Sequence, residues 1–219
     1  MNYFAHALPF LDQPYFMAGT GVPDWLSVVD RRVRVRKKRV REFLVDADKP
    51  AASVAAGALQ HLCDDDHFHA SRAFTEVSLE LTVLSRDLLE DDTGLQPRFL
   101  GHLLAEVLLD AALIAEKPGK LEEYYRVLDE IDPAVIEQTV NRIATQSTSR
   151  LAWMISEFSR IRILWDYLED AKLMRRLNQV MRRVRLPQLP EAFSDLLPPA
   201  RQLVARRRGE LLDGLPAPV

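Results

Sequence analysis

The stretch 97-PRFLGHLLAEVLLDAALIAE-116 decides the fold. Leu100, Leu103, Leu104, Val107 and Leu108 recur at three- and four-residue steps, the period of one helix face and not the alternation of a strand. Pro97 suits a first helical turn, where its missing amide costs nothing, and Lys117-Pro118-Gly119 stops the run. Composition agrees. Only 8 of the 219 residues are glycine, 47% are hydrophobic, and Leu, Ala, Glu and Arg are plentiful, so the expectation is an all-α fold with a substantial core.

Working outward, residues 75–91 form a second helix expected to end before Thr93-Gly94, and residues 51 to about 74 a third. Upstream, residues 12–30 read as a helix that gives way to a turn at Gly-Thr-Gly-Val-Pro (19–23), with Asp24 just beyond as a cap for the next element. Residues 31–41, RRVRVRKKRVR, carry eight positive charges in eleven positions and read as a polar helix with Val33, Val40, Phe43 and Leu44 turned partly inward. Downstream come helices at 121–131 and 133–146, one long helical segment over 149–186, and a last helix at 199–212. Trp153, Ile155, Phe158, Ile161 and Trp165 recur at helical spacing and are assigned to the core. The whole chain is expected to be a single helical domain, with residues 1–116 as a metal-site core and 117–219 completing the bundle.

The lone Cys63 excludes an intramolecular disulfide and suits a reducing, cytoplasmic setting. No stretch approaches the roughly 20 apolar residues of a spanning helix, so neither export nor membrane insertion is expected. The formal net charge of -3, without a recognised nucleic-acid motif, argues against nucleic acid as partner. Neither a Gly-x-Ser-x-Gly elbow nor a phosphate-binding Walker loop occurs.

The chemistry lies in five histidines: His6, His61, His67, His69 and His102. Residues four apart share a helix face, so His61, Asp65 and His69 form one row, and His102, Glu106 and Asp110 another. Neutral imidazole and ionised carboxylate are ligands that divalent metals accept. At 1.5 Å per residue the ends of a row are about 12 Å apart, so either two ions are held or one end supports the other ligands. A single His-x-x-x-Asp pair is also an ordinary ion pair. The second row, however, lies among leucines, where Glu106 and Asp110 are costly to bury without a cation or a charge network.

The opening MNYFAH, with Asn2, Ala5 and His6 in order, then Gly19 with Asp24, the His61/Asp65 pair, and the carboxylates Glu106 and Asp110, resembles the bacterial acyl-carrier-protein phosphodiesterases. These are helical, metal-dependent enzymes similar to HD-domain phosphohydrolases, and the likeness covers roughly residues 1 to 115. In the third motif, where that family shows an aspartate and then an adjacent Asp-His pair, this chain has His102, Glu106 and Asp110. The resemblance implies an HD-domain-like bundle that uses a metal-activated water to release 4'-phosphopantetheine, or a related phosphodiester leaving group, from acyl carrier protein. It implies manganese, with iron or zinc acceptable to the same ligand types. Metal ligands would come from His6, Asp24, His61, Asp65, His102, Glu106 and Asp110, and His67 or His69 would orient water or protonate the leaving oxygen. The basic run would steer an acidic carrier, bind substrate phosphate or form a solvated face.

Two other functions fit the same residues. A di-metal carboxylate bundle doing oxidoreductase chemistry would place acids on facing helices, although it normally uses Glu-x-x-His spacing. A metal-free helical module would bind an acidic protein through the arginine-rich face.

Overall fold

The computed structural model describes residues 1–89 and 94–219. The regular elements among the described residues are all helices, with no strand and one isolated β-bridge between Val35 and Ala144. The expected all-α class is observed. The helices are α1 (Tyr3–Ala7), α2 (Pro14–Val29), α3 (Lys37–Arg41), α4 (Lys49–Ala70), α5 (Arg72–Leu88) and α6 (Pro97–Glu116). They continue as α7 (Pro118–Glu130), α8 (Pro133–Ile143), α9 (Leu151–Ile161), α10 (Asp170–Val184) and α11 (Leu197–Leu212), with short 3-10 turns at Leu8–Phe10, Ile163–Leu168 and Glu191–Leu196. No helix is long and apolar enough to cross a membrane among the described residues.

The chain divides into two compact units, neither continuous in sequence. One comprises residues 2–67, 117–162 and 215–219; the other comprises Met1, residues 68–116 and 163–214. In the first unit, α2 packs against α7, α8 and α9. Trp25 and Tyr124 set their rings edge-on to Phe158, and Tyr3 lies 4.7 Å from the same ring. In the second unit, α6 packs against α5 and α11 through Val77, Leu81, Leu100, Leu104, Leu108 and Val204, all buried.

Several local readings differ from this structure. Gly-Thr-Gly-Val-Pro is no turn, because α2 runs unbroken from Pro14 to Val29 with Pro23 inside it. The glycines serve packing. A side chain at Gly19 would place its Cβ 2.5 Å from the Val54 carbonyl oxygen, and one at Gly57 would sit 2.0 Å from that of Phe16. Bare Cα atoms therefore let α2 and α4 cross at backbone contact. Asp24, being inside α2, caps nothing.

The basic run is helical only over α3. Before it, Val33 and Val35 are buried while Arg32, Arg34 and Arg36 are exposed, an extended alternation in which Thr145 donates its amide to the Arg34 carbonyl at 2.9 Å. The helix expected to reach Phe74 ends at Ala70, because Ser71 accepts a hydrogen bond from the Phe74 amide and caps α5. α5 ends at Leu88; the expected stop before Thr93 lies outside the described residues. The long segment 149–186 is broken at Arg162, which adopts the left-handed conformation (φ 53°). Its guanidinium bonds Glu122 at 2.9 Å and lies over the Tyr125 ring. Ile155 and Phe158 are core, as expected, but Trp153 is 58% exposed beneath Arg150, and Ile161 is exposed too. Cys63 is half-buried.

Candidate metal centre

Two groups of three ligand-type side chains form, and in each the ligand atoms all lie within 4.8 Å of one another. The first joins His6 from α1 with His61 and Asp65 from α4, all in one unit. The second joins His69, at the end of α4, with His102 and Glu106 from α6, all in the other unit. The sequence rows are thus regrouped: His69 joins His102 and Glu106 instead of His61 and Asp65.

In the first triad both imidazoles are buried, and their rings stack with centroids 4.0 Å apart. His61 places Nδ1 2.8 Å from the Thr20 carbonyl oxygen. A carbonyl only accepts, so Nδ1 carries a proton and Nε2 is the nitrogen turned away from Thr20. His6 places Nδ1 3.3 Å from the Asp64 carboxylate, which also accepts from Gln60 at 2.7 Å. For His6 both ring nitrogens thus face a carboxylate at 3.3 Å, Nδ1 that of Asp64 and Nε2 that of Asp65. Each Nε2 then faces Asp65: His6 lies 3.3 Å from Oδ1, and His61 lies 3.2 Å from Oδ2. The buried Nε2 of His6 makes no aligned hydrogen bond.

Each ring nitrogen faces an oxygen that only accepts, so positive charge is needed on the Asp65 side, either as a proton on Nε2 or as a metal ion. The separations suit an ion. Three ligands about 2.1 Å from a metal are about 3.0–3.4 Å apart along an octahedral or tetrahedral edge. Histidines whose far nitrogen is held by a carbonyl or a carboxylate are the usual form of metal-binding imidazole. Burial opposes ionisation of Asp65, but the imidazoles of His6 and His61 outweigh it and hold the carboxyl well below its usual range. The donor set fits a divalent cation.

In the second triad Nε2 of His69 and Nε2 of His102 lie 2.8 and 3.3 Å from the same oxygen, Oε1 of Glu106. The Met1 amine is 3.2 Å from that oxygen. The imidazoles stack at 4.8 Å, and Phe74 meets each edge-on at 5.0 Å. Ser71, by capping α5, sets Phe74 in that place. Burial again works against the charge on Glu106, and the Met1 amine and the two imidazoles outweigh it, so its pKa is lowered.

The remaining predicted residues belong to neither group. Asp24 stands one turn after Thr20 on α2, half-buried on the face whose carbonyl holds His61. Asp110 is fully buried one turn beyond Glu106. His67 lies about 200° around α4 from Asp65 by helical register, so it is not placed to act beside that carboxylate. Sequence reasoning missed Asp64, Gln60 and the Thr20 carbonyl, which hold the far nitrogens of the histidines. The run Asp64-Asp65-Asp66 was the one available signal for Asp64; no side-chain pattern announces a backbone carbonyl.

Compared with known proteins, the chain matches no family model, no curated protein and no solved structure.

Proposed function

We propose that the chain is a metal-dependent phosphodiester hydrolase of the acyl-carrier-protein phosphodiesterase kind, with an HD-domain-like site centred on His6, His61 and Asp65. The observation that carries the reading is the pair of Nε2 atoms facing the two oxygens of Asp65, with each far nitrogen held. Asp24 is the natural further oxygen ligand, because it comes one turn after Thr20 on α2. When bound, a divalent ion, manganese by resemblance and iron or zinc by ligand type, would polarise a phosphoryl oxygen and acidify water.

The chain's own part is to present this set rigidly. Gln60 and Asp64 orient His6, Thr20 orients His61, and the crossing at Gly19 and Gly57 keeps α2 against α4. An acidic carrier suits the adjoining basic segment. Lys37 pairs with Asp66, the neighbour of Asp65, and Arg36, Lys38, Arg39 and Arg142 line a cavity of about 460 Å³ with Phe43 and Glu42.

Elemental analysis of the purified protein, with turnover of bis-p-nitrophenyl phosphate and of holo-carrier protein, tests this. Asp65→Asn is expected to lose the ion held with His6 and His61 and at least 100-fold in turnover while keeping its helical circular dichroism. A variant that keeps full turnover without metal would refute the assignment. A Lys38→Glu/Arg39→Glu variant should lose activity on carrier protein selectively, sparing the small ester.

A further inference from the structure

We propose that His69, His102 and Glu106 hold a second divalent cation, of the borderline class typified by zinc, at a site open to solvent. The three side chains come from two helices, and both imidazoles direct Nε2 at the same carboxylate oxygen, 2.8 and 3.3 Å away. Stacking between the rings and the edge of Phe74 fixes their planes before any ion arrives, so little side-chain freedom remains to be lost on binding.

Two nitrogens and one oxygen favour zinc and its neighbours over magnesium or calcium, which prefer oxygen-only shells. The side chains of His69 and His102 are 33% and 46% exposed. An ion can therefore enter directly and keep water on its outer side. In the first triad, by contrast, both imidazoles are buried. The Met1 ammonium shares Oε1 of Glu106, and a cation taking that oxygen displaces it. An ion here would clasp the last turn of α4 to α6 within one unit, a stabilising cross-link that is independent of phosphodiester chemistry.

The test is zinc stoichiometry on the full chain, stripped with chelator and dialysed against zinc(II). The wild type is expected to bind two ions, His102→Ala and His69→Ala one each, Asp65→Asn one, and the Asp65→Asn/His102→Ala double variant none. His102 is exposed enough that its removal should leave the circular dichroism unchanged. In Asp65→Asn, zinc at 100-fold excess over its dissociation constant should raise Tm by roughly 5–10 °C, and this rise should vanish in the double variant. One wild-type ion that survives His102→Ala and disappears in Asp65→Asn overturns the second site and leaves the first standing. One ion with the opposite pattern upholds the second site and removes the first.

Discussion

At the residue scale, the decisive atoms are the two Nδ1 nitrogens, because what each is bonded to sets which way the opposite nitrogen of the ring faces. Thr20 offers a carbonyl and Asp64 a carboxylate, so both Nε2 atoms face Asp65. Replacing Asp64 with Asn keeps the shape but weakens the acceptor, and metal affinity is expected to fall 10- to 100-fold, measurable by competition with a chromophoric chelator. Acid stability of the metal-free protein reports on Asp65 directly. Its folded pKa lies below the unfolded value of 3.8, so its contribution is present in full above that value and erodes as pH falls beneath it. Asp65→Asn should therefore flatten the decline in stability between about pH 5 and pH 2, tracked by urea unfolding at each pH. A slope unchanged from wild type would show that the carboxylate is not held as described.

At the scale of elements, sequence reading succeeded where a boundary was written in side-chain chemistry. Pro97 and Pro133 each open the helix they were expected to open, and the leucine face of α6 lies buried, whereas Pro118, read only as a stop, opens α7. It failed where tertiary contact overrode local preference. Gly19, Gly21 and Pro23 look like a turn in isolation, yet the close approach of α4 needs glycine in a helix. Arg162 breaks a segment whose periodicity shows no break, because Glu122 and Tyr125, distant in sequence, hold it in place. The pairs His61/Asp65 and His102/Glu106 were legible from four-residue spacing. The exchange of His69 between the rows was not, since it depends on how far α4 runs before Ser71 turns the chain. Gly57→Ala should force α2 away from α4 and cost about 2–3 kcal/mol in chemical denaturation, with metal affinity falling as Thr20 withdraws from His61. Unchanged stability would mean that the helices do not cross at backbone contact.

For the molecule as a whole, the chain passes between its two compact units inside α4, at 116/117, at 162/163 and at 214/215. Each unit needs segments from both halves of the sequence. A fragment ending at residue 116 contains every predicted ligand, yet it lacks α7–α9 from one unit and α10 and α11 from the other. It is expected to give neither cooperative unfolding nor dispersed amide resonances. A well-folded fragment of this length that binds metal would show that the later helices are dispensable.

This braiding has a consequence for biosynthesis. At about 5–20 residues per second, roughly 5–20 s separate the emergence of α6 from that of α11, which covers it. Through that interval α6 has its earlier partner α5 but not α11, so the part of its apolar surface that α11 covers stays open to non-native contacts.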